Sequence, residues 1–493
     1  MSAFAKIRTR STALGGVACL ALAGCMAGGP IASAGSPITP TEAQQGAQAH
    51  TQIVSEFGGA MGGSQADYVI GVGQNIAFQS GLGNSPGAFK VTLLNSSVNN
   101  AFAIPGGYVY VTRQLVALMN NEAELAAVLG HEVGHVAARH SAKRQQAAQQ
   151  NALLGALGQI LSGVLLGDSS LGRLGQQISS TVPELATLKY SRGQELEADG
   201  LGVQYLGTAG YDKRAMASLL ASLAAQNSLD AQLQGRDARM PEWASTHPDP
   251  ASRVQNALQL AGAANGGTTN RDAFLTRVSG IVYGDDAHQG VIEGNQFIHP
   301  DLRMSFKAPQ GFYMVNGADA VSINGNSGKA QLSRAAYNGN LETYVRQVFQ
   351  KLGGTQQTLA PQSVKRTTVN GIPAMVGTAR VQSGEGQVDV VVYAYEFSSG
   401  QALHFAALAP VGQAGVFDGM FASMRRLSAS EAAAVTPRKL EVVTVKSGDT
   451  VASLANRMAY TDSREARFRV LNGLAAGDTV KAGQKVKVVV RGN

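Results

Sequence analysis

The stretch GHEVGHVAARH, residues 130–140, sets His131, His135 and His140 within ten positions and places Glu132 directly after the first. The order H-E-x-x-H has a mechanical meaning on a helix. Each residue advances about 100°, so positions i and i+4 project from one face, one turn apart, and two imidazoles can grip one ion. Glu132 lies beside that face, where it can take a proton from a water on the metal. Catalytic zinc commonly has three protein ligands and keeps a fourth position open. With 8 histidines in the chain, this pattern arises by chance on the order of a few times per thousand such chains. An exposed polar helix face is the other meaning of the same letters.

A third ligand is needed. His140 comes nine residues after His131. The metzincin spacing needs ten, with a glycine between, and those positions here are Ser141 and Ala138. On a continuing helix His140 also points about half a turn away from His131, which predicts a surface histidine near the helix end. The segment YSRGQELEADGLG, 190–202, supplies Glu195 and Asp199 at i, i+4 on a predicted helix. Glu195 is the expected third ligand. Asp199 is expected to accept a hydrogen bond from the non-ligating nitrogen of His131, fixing its tautomer. Glu197 is the competing carboxylate, about 200° round the helix from Glu195. An ordinary acidic helix face is again the alternative.

These side chains need rigid elements beneath them. The pattern predicts a long helix over 122–149, with Asn121 as N-cap, Glu124 at capping-box spacing, and Arg139, Lys143 and Arg144 at its negative end. Further helices are expected near 40–57, 65–80, 192–207, 213–228 and 249–262. The stretch 89–112 alternates like strands around a Pro105-Gly106-Gly107 turn. After about residue 300, strand-like segments and two helical segments predict an α+β domain. The Pro-containing stretch AAAVTPRKLE then reads as a linker to a tail.

The chain has 493 residues, too long for one core, so two to four domains are expected. Lys6, Arg8 and Arg10 precede an apolar run from about Ala13 to Leu22, ending Leu22-Ala23-Gly24-Cys25. That run is too short to span a bilayer and reads as a signal peptide. Its end resembles a bacterial lipobox, which makes Cys25 a lipidation site. Cys19, the only other cysteine, would leave with the signal, so no intramolecular disulfide is expected. Met26, in place of an inner-membrane retention residue, points to the outer membrane. The apolar stretch 151–167 is interrupted by Gln159 and Ser162 and reads as a lid or core helix rather than a span. Residues 438–491 hold 11 Lys/Arg and 5 Asp/Glu. The tail contributes +6 and the signal +3 to a net charge of +7, which leaves −2 for everything between, and nothing reads as a nucleic-acid module.

NAFAIPGGYVYVTRQL, LGHEVGHVAARH, SRGQELEADGLG and STHPDPASR follow in this order. Together they resemble the gluzincin zinc metallopeptidases that include the CAAX prenyl proteases, HtpX and BepA, over about residues 40–260. The resemblance implies one zinc ion on His131, His135 and Glu195, with Glu132 as general base. It implies that His247 stands at the catalytic centre, steadying the oxyanion or filling the open zinc position at rest. Arg253 resembles the family's trailing structural arginine. Asn100, Ala101 and Phe102 become the candidates for an edge strand that pairs with substrate backbone. Membrane members of the family carry transmembrane helices, and BepA carries helical repeats; neither pattern is seen here. The tail, about 442–490, resembles a LysM module, which implies binding to peptidoglycan glycan.

The expected fold is multidomain. It comprises a signal peptide (1–24), a flexible tether (25–42), a mainly α zincin-type peptidase domain with a small β element (43–280), an α+β domain of unassigned role (281–432) and a βααβ LysM-like module (438–491). The expected function is a zinc endopeptidase of the bacterial envelope, lipid-anchored in the periplasm, acting on unfolded or misassembled envelope proteins. A peptidoglycan-tethered chaperone-like or binding lipoprotein with a latent or structural zinc site remains the alternative. The intact Glu132 favours the enzyme.

Overall fold

The structure is a computed structural model that describes residues 35–144, 190–234, 247–263, 266–353, 359–383 and 386–492. The expected signal peptide, Cys25 and the 151–167 stretch lie outside the described residues.

Helix α1 (Pro40–Glu56) opens with a capping box in which Thr39 and Glu42 satisfy each other's backbone N–H groups. The part of the expected tether just before it is bound to the body: Gly35 N–H donates to the Ala137 carbonyl and Ile38 N–H to that of Leu82. Helix α2 (Ser64–Phe78) follows. Then come strands β1 (Lys90–Leu94), β2 (Ala101–Ile104) and β3 (Tyr108–Thr112). They form one sheet in the order β1-β3-β2, with β1 parallel and β2 antiparallel to β3. β2 is an edge strand. It packs alongside the helix that carries the H-E-x-x-H residues.

A short helix, α3 (Arg113–Leu118), is capped by Thr112, whose hydroxyl accepts from Leu115 N–H. Helix α4 (Glu122–Ala137) starts at Asn121, whose side chain accepts from Glu124 N–H at 2.9 Å. The Glu124 carboxylate reaches back to Asn120 N–H at 2.8 Å, one residue beyond a standard capping box. The expected helix to 149 is interrupted. α4 ends at Ala137, and Arg139 takes φ 56°, a left-handed conformation. The Arg139 guanidinium lies buried against the Val136 and Ser36 carbonyls and the Glu42 carboxylate. Those bonds offset the strained backbone and turn the chain.

α5 (Arg192–Thr208) packs on α4, followed by α6 (Ala215–Gln234), α7 (Pro250–Ala261) and α8 (Arg271–Val278). Two glycines allow the close α4–α5 approach. A Cβ at Gly134 would stand 3.0 Å from the Ala198 carbonyl, and one at Gly202 would stand 3.2 Å from His131 N. No helix among the described residues is long and apolar enough to cross a membrane.

Strand β4 (Val282–Tyr283) leads to β5 (Val291–Glu293), β6 (Gln296–His299), β7 (Met304–Lys307), β8 (Tyr313–Asn316), β9 (Ala320–Gly325) and β10 (Gly328–Arg334). Helix α9 (Leu341–Gly353) is followed by β11 (Ser363–Val369), β12 (Ile372–Ser383), β13 (Gly386–Ser398), β14 (Gln401–Pro410), α10 (Asp418–Ser423) and β15 (Arg425–Arg426). These build a seven-stranded sheet, β11-β12-β13-β14-β10-β9-β8, and a four-stranded one, β15-β7-β6-β5. Tyr344, Val345, Val348 and Phe349 of α9 cover one face of the large sheet, while Phe306, Phe405 and Phe421 lie in a separate core.

Helix α11 (Ala429–Ala433) precedes β16 (Arg438–Thr444), α12 (Val451–Ala455), α13 (Arg464–Leu471) and β17 (Lys485–Arg491). β4 joins this tail and gives a sheet β17-β16-β4. The tail is not a separate bead. Its Leu454, Phe468, Val486 and Val488 belong to the same hydrophobic core as Leu115, Leu125 and Leu220.

Candidate metal centre

α4 delivers His131, Glu132 and His135, all fully or almost fully buried. α5 delivers Glu195 and Asp199, also buried. His247 stands just before α7, in a loop where Asp249 takes φ 55° and caps the helix through Ser252 N–H. Arg253 projects from the first turn of α7.

Four ligand-type atoms converge, from His131, His135, Glu195 and His247, all within 4.8 Å of one another. His131 Nε2 and His135 Nε2 are 3.0 Å apart. Glu195 oxygens lie 3.6 Å from His131 Nε2 and 3.4 Å from His135 Nε2. His247 Nδ1 is 3.3 Å from His131 Nε2 and 3.0 Å from Glu195 Oε1. The edge of a tetrahedron with metal bonds of about 2.0–2.1 Å is roughly 3.3 Å. Its centre is the space these atoms surround.

The proton inventory gives a second test of fit. His131 Nδ1 lies 2.9 Å from Asp199 Oδ1, so it carries the proton and leaves a lone pair on Nε2. His135 Nδ1 lies 2.8 Å from His140 Nδ1, and His140 Nε2 lies 3.1 Å from Glu197. With His140 donating to Glu197, its Nδ1 accepts from His135, whose Nε2 also becomes a lone pair. Two lone pairs facing at 3.0 Å beside a carboxylate repel one another unless a cation lies between them. Burial holds the His135 and His247 imidazoles well below their usual range, so they are neutral, the form that binds metal. The residues fit a zinc ion.

The surroundings hold these groups in place. Arg253 bonds both Glu195 and Asp199, with Nε 2.8 Å from Asp199 Oδ2. Burial alone would raise the Asp199 pKa, but the bonds from Arg253 and His131 outweigh it and bring it to about 2. Glu132 Oε1 lies 3.4 Å from His247 Nε2. Asn100 and Ala101 are buried and Phe102 is half-buried, stacked on Tyr110. What β2 offers at its outer edge is therefore mainly backbone.

One expectation is corrected and one residue is new. His140 is not a surface histidine: it is fully buried behind His135. The left-handed turn at Arg139, absent from any continuous-helix projection, swings it inward. Tyr190 stacks flat on the His135 ring, centroids 3.7 Å apart and planes 17° apart, with Arg144 over its face. Its position beside the RGQE segment carried no spacing signal. Glu197 stays on the half-exposed side of α5, away from the four converging atoms.

Residues 64–261 match the family model Peptidase family M48, and residues 443–489 match the LysM domain model. This chain carries a peptidase family M48 domain and a LysM domain. The M48 match spans the three-stranded sheet, α4, α5 and α7, so every element that supplies the converging atoms falls inside it. The chain is similar to the Beta-barrel assembly-enhancing protease of Yersinia pestis, 35% identical over 176 residues, covering 35% of this chain and 34% of that one. Against the protein of the same name from Escherichia coli (strain K12) the identity is 32% over 197 residues, 39% and 38% of the two chains. The mitochondrial Metalloendopeptidase OMA1 of Bos taurus is 30% identical over 171 residues, 34% and 32% of the two. The chain thus spans about a third of the length of these relatives. The M48 match and the buried cluster of His131, His135, Glu195 and His247 give zinc as the cofactor of this domain.

Proposed function

We propose that the chain is a zinc endopeptidase of the bacterial cell envelope that cleaves unfolded or misassembled envelope proteins. The observation that carries this reading is the pair of buried imidazole lone pairs and the Glu195 carboxylate aimed at one point, with Glu132 on the rim. His131, His135 and Glu195 hold the ion. Zinc, when bound, polarises a carbonyl and makes water acidic enough to attack near neutral pH. Glu132 takes the proton from the attacking water and passes it to the leaving amine. Asp199 and Arg253 keep His131 and Glu195 in orientation. The outer edge of β2, at Asn100, Ala101 and Phe102, pairs with extended substrate backbone. Unfolded chains can adopt that geometry and folded ones cannot, which gives the substrate class.

His247 fills the fourth corner at rest, with Nδ1 inward and Nε2 toward Glu132. Substrate must displace it, after which the ring is placed to donate to the developing oxyanion. The same closed set of four ligands would suit a structural zinc in a chaperone-like or binding lipoprotein. The buried Glu132 facing that corner favours the enzyme.

The domain divisions expected from the sequence are kept in this reading, except that residues 35–42 belong to the peptidase body and β4 (Val282–Tyr283) to the tail's sheet. A lipid on Cys25 and the LysM domain then hold the enzyme at the outer membrane and the peptidoglycan. The 281–432 unit is given no catalytic part. The deciding assay incubates the zinc-loaded chain with an unfolded protein and with purified peptidoglycan, beside Glu132→Gln. Cleavage of the unfolded protein should fall by about 10²–10⁴-fold in the variant while its zinc content stays the same. Equal turnover by a zinc-replete variant would remove Glu132 from the chemistry. Loss of peptidoglycan cross-links instead would change the substrate.

A further inference from the structure

Lys487, in the middle of β17, is fully buried. Its ammonium does not stay within the LysM domain. Nζ donates to the carbonyls of Ala117 at 2.9 Å, Leu118 at 2.9 Å and Met119 at 2.6 Å. These belong to the end of α3 and the residue after it. Helix ends leave carbonyls without partners and carry partial negative charge, so a cation there is a cap. Three acceptors match the three hydrogens of one ammonium. The turn from 119 to 121 then leads directly into α4.

The first turn of α4 is tied to the same place. The Glu124 carboxylate is buried and bonded to Asn120 N–H and the Ser218 hydroxyl, within the electrostatic reach of Lys487. His131 lies seven residues further along, about two turns of the same helix. More bonds tie the tail to the segment that follows the M48 match. Arg271 of α8 donates to the Lys485 carbonyl at 2.8 Å. Gly280 N–H donates to the Leu440 carbonyl at 2.7 Å, and Leu440 N–H to that of Ile281 at 2.9 Å. Val486, Lys487, Val488 and Val489 are all buried in succession. β17 is the edge strand of its sheet, yet both of its faces are covered, which a freely tethered module would leave in water.

We propose that the LysM domain docks on the M48 domain through Lys487 and braces the N-terminal end of the metal-binding helix, so that the two unfold as one unit. The partner of this surface is the chain's own C-terminal domain, and the metal site depends on its being docked. The brace rests on packing and hydrogen bonds, and it stands whether or not the chain cleaves protein.

Native-state hydrogen exchange on the full chain tests it. In the wild type, the protected amides of residues 125–129 in α4 and 486–489 in β17 should open in one denaturant-dependent step. Lys487→Ala should speed exchange in both segments at least tenfold, and release of zinc to a chelator should quicken with it. Lys481→Ala, which removes an exposed charge from the same domain, should change neither. Faster exchange confined to 486–489, with 125–129 at wild-type rates, would overturn the proposal. If Lys487→Ala does not fold, the wild type alone decides. A separate, lower-energy opening of 486–489 with α4 still protected would refute the brace.

Discussion

At the scale of single residues, the candidate site separates the proposed ligands from the groups that aim them. Glu195 reaches both histidine Nε2 atoms, whereas His140 meets them only through the back of His135. Glu195→Ala should therefore lose zinc after dialysis, while His140→Ala should retain most of it and bind it about 10–100-fold more weakly. Metal content by atomic absorption decides the order, and a larger loss from His140→Ala would reverse it. His247 has two opposed effects. Removing it opens the fourth corner but deletes an oxyanion donor, a loss of about 10²–10³-fold in turnover. We expect a net fall in kcat for His247→Ala with zinc retained. A rise would show that its main role is to block the site.

At the scale of elements, the distance between α4 and α5 decides whether three ligands become one site. Gly202 faces His131 N and the Met216 side chain, with 3.2 and 2.6 Å available to an added Cβ. Gly202→Val pushes α5 outward and carries Glu195 away from the two histidines. Overpacking of this kind costs about 1–3 kcal/mol, but the larger effect should be on zinc. The variant should fold with a lowered Tm and bind zinc poorly. Normal zinc affinity would mean that the helix contact does not set the ligand geometry.

At the scale of the whole molecule, the α+β unit carries an acid-sensitive element of its own. His404 of β14 is buried between Tyr344 and Ser333, and burial brings its pKa down to about 3. In the unfolded chain it returns to about 6.5. The unfolded state thus binds the proton first, so stability is level above about pH 6.5 and falls as the pH drops toward 3, by at most about 1.4 kcal/mol per pH unit. His404→Gln should flatten that slope while lowering stability at neutral pH. Urea midpoints between pH 7 and 4 measure it, and an unchanged slope would place the acid sensitivity elsewhere.

The candidate metal site was legible in the sequence because its parts are local and periodic. The i, i+4 pairs His131/His135 and Glu195/Asp199 need only a helix beneath them, and both helices carry their own caps at Asn121 and Ser191. The spacing also excluded His140 as a metzincin-type ligand. Where His140 goes instead depends on Arg139, whose left-handed turn is held by Glu42, 97 residues away in the chain. No local pattern encodes that bond. Tyr190 against His135, Arg253 across Glu195 and Asp199, and Lys487 beneath α3 are likewise contacts between distant segments. The LysM motif was readable as strand, turn and helix. Its burial against the M48 domain was not, because a lysine in a basic tail reads as a solvated charge. Only the fold shows three carbonyls waiting for it.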